Sequence, residues 1–319
     1  MESVLNIIKN AKIGSIVPVV EELPYALQPV EYFAKLSDYG DKKNSILFES
    51  ADIVPKYGEK SLGSADPCLK VTGRYENFEI IALNETGTKF LDFLRHDFGF
   101  CDKVEHKKGR IAGKLKPKRG IVSEEERLKL PNHMDIIRKI AFKFRPTLKP
   151  FIPYAGLFGC ISYDFIDQFE DLPKSRIDAT NDPDYLFYFL DNLFLIDHKE
   201  NKTFFVANAL VTDDKNEAYE KCMSKIEDYK NAMHKKAAKH APKKNSKTSL
   251  IETDTSKGEF EGLVMKIKDH IKTGDVYQAV LSRTMSLSFN KKPLEVYKKL
   301  RQLNPSPYMF YINSEFGIL

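Results

Sequence analysis

The obvious metal ligands and nucleophiles of this 319-residue chain are seven histidines and four cysteines, and their spacing serves neither role. Cys68, Cys101, Cys160 and Cys222 lie tens of residues apart with no C-x-x-C pair, which favours reduced structural thiols over zinc or disulfides. No H-E-x-x-H run and no His/carboxylate cluster offers a metal site within the chain. Other polar candidates are modest when taken singly. Glu49 and Lys60 read as solvated surface charges, Tyr308 and Met309 as core, and Gln278 as a polar residue on a half-exposed strand face. Pro305 and Pro307 flank Ser306 and would keep that loop extended and stiff.

A net charge of +5 raises nucleic acid as a partner, so the placement of the charge matters. His106 to Arg119 carries Lys107, Lys108, Arg110, Lys114, Lys116, Lys118 and Arg119 with no acid. His234 to Leu250 carries Lys235, Lys236, Lys239, Lys243, Lys244 and Lys247, again with no acid. Removing those thirteen charges turns +5 into −8 for the remainder, so the body is mildly acidic. Neither run contains aromatic residues to stack on bases. With Gly109, Gly113, Pro117 and Gly120 the first reads as a solvated loop between strands; the second reads as a frayed helix end entering a flexible linker. No nucleic-acid partner is expected. No stretch reaches the roughly twenty apolar residues of a membrane helix, and the most apolar run, Tyr185 to Ile196, is interrupted by Asp191. The N-terminus, with Glu2 and Lys9 among Val4, Leu5, Ile7 and Ile8, lacks the pattern of a signal peptide, so the expected location is cytoplasmic, with no membrane partner.

The elements that must position these residues follow from periodicity. Ser45 to Glu49, Leu69 to Thr72, Phe78 to Leu83, Leu193 to Ile196 and Thr203 to Asn208 are short runs rich in β-branched and aromatic residues between turn signals, and read as strands. Thr88 to Arg95 and His133 to Phe144 have helical spacing, and Lys215 to Met233 is an amphipathic helix with Cys222, Ile226 and Tyr229 on its apolar face. Ser256 and Glu259 form a capping-box pattern ahead of a helix that Gly274 stops. Val276 to Phe289 then reads as a strand with Gln278, Val280, Ser282, Thr284, Ser286 and Ser288 on one face. A further helix runs from Pro293 to before Asn304-Pro305, and Tyr308 to Leu319 reads as a hairpin around Asn313-Ser314-Glu315. The expected fold is α+β, layered antiparallel sheets with flanking helices. The expected organisation is residues 1–233 as one domain, 234–254 as a Lys-rich linker, and 255–319 as the start of a second domain whose C-terminal part is incomplete.

The string Ile271-Lys272-Thr273-Gly274-Asp275-Val276-Tyr277-Gln278-Ala279-Val280-Leu281-Ser282-Arg283 resembles the opening of the chorismate-binding domain of the anthranilate synthase component I family. Asn304-Pro305-Ser306-Pro307-Tyr308-Met309-Phe310-Tyr311 matches a second signature of that family. Leu47-Phe48-Glu49-Ser50-Ala51-Asp52 with Lys60-Ser61 resembles the L-L-E-S segment of its regulatory domain. Gly156-Leu157-Phe158-Gly159, Ser162-Tyr163-Asp164 and Phe169-Glu170-Asp171-Leu172-Pro173 resemble a G-L-x-G-Y, Y-D, F-E-x-L-P series. Phe48, Ala155, Cys160 and Ser162 depart from the pattern by changes of packing size.

The resemblance implies an anthranilate/aminodeoxychorismate synthase-like fold and a lyase of tryptophan biosynthesis: chorismate plus ammonia gives anthranilate and pyruvate, with ammonia supplied by a glutamine amidotransferase subunit. It implies feedback inhibition by tryptophan, with Glu49, Ser50, Lys60, Asn304, Pro305, Pro307, Tyr308 and Met309 at positions that bind the inhibitor. Gln278 occupies the place where related water-using enzymes carry a Lys base. A glutamine has no titratable group, which fits an enzyme that excludes water and uses ammonia. Magnesium is implied as cofactor, its glutamate ligands and the G-x-S-P-E stretch being expected beyond Leu319. Aminodeoxychorismate synthase component I and a non-catalytic tryptophan-binding module are the alternatives; the E-S, K-S and N-P-S-P-Y-M signatures favour the anthranilate enzyme. With those motifs lacking, purified protein of these 319 residues is expected to form no anthranilate from chorismate and ammonia, and anthranilate fluorescence above the uncatalysed rate would overturn this.

Overall fold

The computed structural model describes residues 3–51, 59–117, 123–144, 146, 155–170, 172, 181–235 and 250–319. Most of the sequence-predicted linker, and parts of the L-F-E-S-A-D and F-E-D-L-P stretches, lie outside the described residues. Two compact units form: Met1–Ala238 together with Pro293–Leu319, and Lys239–Lys292.

The helices are α1 (Val4–Asn10), α2 (Pro29–Leu36), α3 (Glu85–Leu94), α4 (Glu124–Lys129), α5 (His133–Lys143), α6 (Lys215–His234), α7 (Lys257–Thr273) and α8 (Pro293–Leu303). The strands are β1 (Ile16–Leu23), β2 (Ser45–Glu49), β3 (Lys60–Ser64), β4 (Leu69–Arg74), β5 (Asn77–Ala82), β6 (Lys103–Lys107), β7 (Arg110–Lys114), β8 (Gly156–Ile161), β9 (Tyr185–Leu190), β10 (Asn192–Asp197), β11 (Lys202–Leu210), β12 (Glu252–Thr253), β13 (Met285–Ser286), β14 (Met309–Ser314) and β15 (Gly317–Ile318).

In the first unit, a seven-stranded sheet of order β1-β11-β10-β3-β2-β14-β15 and a six-stranded sheet of order β6-β7-β5-β4-β9-β8 are antiparallel throughout. The apolar run Tyr185 to Ile196 is therefore two strands in different sheets, and Asp191 is where the chain crosses between them. Period-two alternation sorts its side chains into three cores. Leu186, Tyr188 and Leu190 of β9 meet Leu193 and Leu195 of β10 between the sheets. Tyr185 and Phe189 face α3 and α5. Phe194 and Ile196 face the other way, toward a cluster containing Ile8 of α1, Phe33 of α2, Ile226 of α6 and Tyr297 of α8. The result is a helix-sheet-sheet-helix stack, the expected α+β class.

Gly159, in the glycine-rich run read from the sequence, has a packing reason. A Cβ there would meet the Leu186 carbonyl and come 2.7 Å from the Phe187 Cα, so β8 approaches β9 only without a side chain. The first basic run is a loop only in part: β6 and β7 form a hairpin turning at Gly109 (φ 70°), Arg110 pairs with Glu79, and Lys114 lies 2.9 Å from Glu76, while Lys118 and Arg119 lie outside the described residues. Within that hairpin, Arg110 and Lys114 are each paired with an acid of the neighbouring strand pair. No helix of the described residues is long and apolar enough to cross a membrane.

The second unit departs most from the sequence expectation. Helix α7 forms as its caps dictate: Ser256 Oγ accepts from the Glu259 amide, the Glu259 carboxylate accepts from the Ser256 amide, and Gly274 (φ 83°) ends it in the left-handed region. The strand expected over Val276 to Phe289 does not form. Only Met285–Ser286 pairs, with Glu252–Thr253, and Gln278 sits exposed in irregular chain. Strands need neighbours, whereas caps act locally; among the described residues β12 alone supplies a ladder here, and α7 buries none of its side chains. The boundary expected near Thr255 is not where the units divide, because α8 and β14 group with the first unit, β14 pairing with β2 over Met309↔Glu49 to Asn313↔Ser45.

Asp191 carries a cost at the sheet crossing. It is buried beside Cys68, and its side chain accepts from Asn192 Nδ2 at 3.1 Å. Burial, reinforced by Asp66 and opposed by Lys225, pushes its carboxyl up to about 7. The folded value lies above the roughly 3.9 of an unfolded Asp, so the folded form binds the proton more tightly. The contribution of this group is fully present below about pH 4 and is lost as pH rises to about 7. Asp191→Asn is expected to flatten the fall in stability across that window, measured by urea unfolding at several pH values; an unchanged slope would count against it.

Candidate functional site

In an antiparallel sheet the end of one strand lies beside the starts of its neighbours. In the order β3-β2-β14 this places the last residue of β2, Glu49, near the first residues of β3 and β14, Lys60 and Met309. A cleft of about 560 Å³ opens at this edge. Among the residues lining it are Glu49, Ser50, Lys60, Pro307, Tyr308 and Met309.

The loops at this edge are tied together by hydrogen bonds. Ser50 Oγ donates to the Pro307 carbonyl at 3.0 Å and the Ala51 amide donates to the Ser306 carbonyl at 3.0 Å. The Ser50 amide donates to Ser61 Oγ at 3.1 Å, and Ser61 Oγ lies 2.8 Å from His198 Nε2. Burial holds His198 below the usual histidine range, with Asp197 opposing and Arg301 reinforcing the shift. Lys60 Nζ sits 3.5 Å from Asp197. The cleft thus has a buried carboxylate at one side, an ammonium at another, and Pro307, Met309 and the 87% exposed Tyr308 ring between.

Glu49 is not the solvated charge that its sequence context alone indicates. It is 2% exposed, with the Tyr297 hydroxyl donating to Oε2 at 2.9 Å and Arg301 Nε 2.9 Å from Oε1. Both partners come from α8, one turn apart at i and i+4. Burial raises the Glu49 carboxyl above its ordinary value, and Arg301 and Tyr297 pull against that rise. Oε1 and the Arg301 Nε nonetheless make no hydrogen bond, since the N–H is not aimed along the short contact.

Two of the sequence stretches that carry the family resemblance thus meet here, Glu49, Ser50 and Lys60 from one and Pro307, Tyr308 and Met309 from the other. Asn304 and Pro305 do not line the cleft. The Asn304 amide donates to the Leu300 carbonyl at 2.8 Å, and the pair forms the turn from α8 into β14. Gln278 lies in the other compact unit. The sequence reading passed over Tyr297, Arg301 and His198; the Tyr/Arg spacing on an amphipathic helix was the available signal, but only the sheet register shows what it faces. The magnesium implied by the resemblance finds no fit here: no group of three or more His, Cys, Asp or Glu among the described residues could hold a metal ion.

Tyr297→Phe leaves Glu49 Oε2 buried without its donor. We expect a loss of about 1–3 kcal/mol in unfolding free energy by chemical denaturation, and a change within error would show that the hydroxyl contributes nothing.

The sequence pattern of the chorismate binding enzyme family matches residues 101–319. Relatives include anthranilate synthase component 1 of Haemophilus influenzae, 29% identical over 303 residues, covering 92% of this chain and 56% of that protein. The Escherichia coli protein of the same name is 29% identical over 290 residues, covering 90% and 54%. Among solved structures, anthranilate synthase component I from Streptococcus pneumoniae TIGR4 shares the fold at a TM-score of 0.54 and 19% identity, over 82% of this chain and 48% of that one. The chain therefore spans about half the length of the curated relatives it matches. With two-thirds of its residues inside the matched pattern, the chain belongs to the chorismate-binding enzyme family.

Proposed function

We propose that this chain is part of an anthranilate synthase large subunit, which converts chorismate and ammonia to anthranilate and pyruvate in tryptophan biosynthesis, and that the cleft at the β3-β2-β14 edge is its tryptophan-binding regulatory site. The observation that carries this reading is the convergence of Glu49, Ser50 and Lys60 with Pro307, Tyr308 and Met309, from segments some 250 residues apart, around one cavity. A zwitterionic amino acid with a large apolar side chain requires this set: a carboxylate for the ammonium, a cation for the carboxylate, and an apolar slot for the ring. A glutamine amidotransferase subunit supplies ammonia in this reading, and Gln278 keeps a non-titratable group at the position where a base would activate water.

A second reading, a tryptophan-binding module without catalysis, is favoured by one observation. The cleft is built wholly within Met1–Ala238 and Pro293–Leu319, while Gln278 lies exposed in irregular chain. Both readings place tryptophan in the same cleft. Calorimetry with L-tryptophan is expected to give saturable heat with the 319-residue protein and none with Glu49→Ala. Absence of heat from the unmodified protein would sink both.

A further inference from the structure

Resting on the reading of the cleft as an amino-acid site, a contradiction in its geometry remains. Glu49 is the group suited to a ligand ammonium, yet its side chain has no solvent-exposed surface and already faces Tyr297 and Arg301. An ammonium in the cleft cannot reach the carboxylate unless one of these moves. Tyr297 is the anchored partner: it is buried, donates a well-formed 2.9 Å hydrogen bond to Oε2, and packs edge-on against Tyr311 at 5.9 Å. Arg301 is the loose one. Its side chain is 30% exposed, it sits in the last turn of α8, and neither its Nε nor Glu49 Oε1 makes a hydrogen bond although they lie 2.9 Å apart. A buried carboxylate oxygen whose cation lies close but poorly aligned is open to a better donor. Two cations at that oxygen repel each other, so a ligand ammonium and Arg301 compete for it.

We propose that Arg301 is a ligand-displaced cover on Glu49: the ammonium of a bound amino acid takes Oε1, Arg301 swings off the carboxylate toward solvent, and the last turn of α8 loosens. Arg301 is thus a specificity residue acting by competition. It excludes ligands that lack a cation strong enough to replace it, and it converts occupancy of the cleft into a change in α8. Tyr297 holds the carboxylate in place throughout.

The test combines calorimetry with L-tryptophan on the full 319-residue protein and its Arg301→Gln and Arg301→Lys variants with hydrogen exchange of residues 297–303 in the unmodified protein. Removing the competitor in Arg301→Gln is expected to tighten binding roughly tenfold. Arg301→Lys, which keeps a competing cation, stays near the unmodified affinity, and tryptophan speeds exchange in the last turn of α8. Equal or weaker binding by Arg301→Gln overturns the cover and makes Arg301 a support for Glu49. If that variant does not fold, exchange in the unmodified protein decides, since unchanged or slower exchange with ligand overturns it equally. Absence of heat from the unmodified protein and the variants alike instead removes the amino-acid reading of the cleft, and the cover with it.

Discussion

The ladder between β2 and β14 is the interaction on which the site depends. It joins Ser45–Glu49 to Met309–Asn313 across most of the chain, and its register sets Met309 opposite Glu49. A slip of one residue would turn every side chain of β14 to the opposite face, taking Met309 and Tyr311 out of the cluster they share with α2 and α8. The ladder also brings α8 against that cluster, and with it the tyrosine and arginine that face Glu49. Closing so long a loop is entropically costly, but the cost grows only slowly with length, and burial of Ile46, Leu47, Tyr311 and Ile312 on the two strands offsets it.

The central strands of the first unit are buried on both faces, and this explains both their composition and the limits of reading them. Tyr185 to Ile196 has the density of apolar residues of a long buried element, yet it is two strands that leave one sheet and enter another at Asp191. The crossing is held by polar groups: the Asp191 carbonyl accepts from the amide and the side-chain Nδ2 of Asn208, and Asn192 Nδ2 donates to the Asp66 carbonyl. A buried carboxyl that resists ionisation accompanies this arrangement, so the junction exchanges some stability for topology.

Electrostatics in the cleft turn on burial rather than on net charge. Glu49 and Arg301 are an ion pair by distance, but desolvation is the largest influence on Glu49 and works against its charged form. A permanent guanidinium and a tyrosine hydroxyl recover part of that cost. The sequence surplus of lysine lies elsewhere. In the β6-β7 hairpin Glu79 answers Arg110 and Glu76 answers Lys114, so the +5 of the whole chain does not carry over to each local surface.

Locally encoded features were legible in the sequence. The α6 and α7 helices, the capping box at Ser256 and Glu259, the stop at Gly274, the helix opening at Pro293 and the alternating strands depend on neighbours within a turn or on period-two burial, and they sit near where the sequence placed them. The family signatures also singled out six of the residues that line the cleft. What required the tertiary structure was pairing and burial. Glu49 looked like a solvated acid because no local signal reports that Tyr297 and Arg301 arrive from α8. Tyr308 looked like core, but β14 starts only after it and leaves its ring exposed. Val276 to Phe289 has the composition of a strand, and composition does not supply the hydrogen-bonding neighbours a strand needs. A helix satisfies its backbone from its own sequence, whereas a strand, and a site built where strands end, is decided by which distant segments lie beside it.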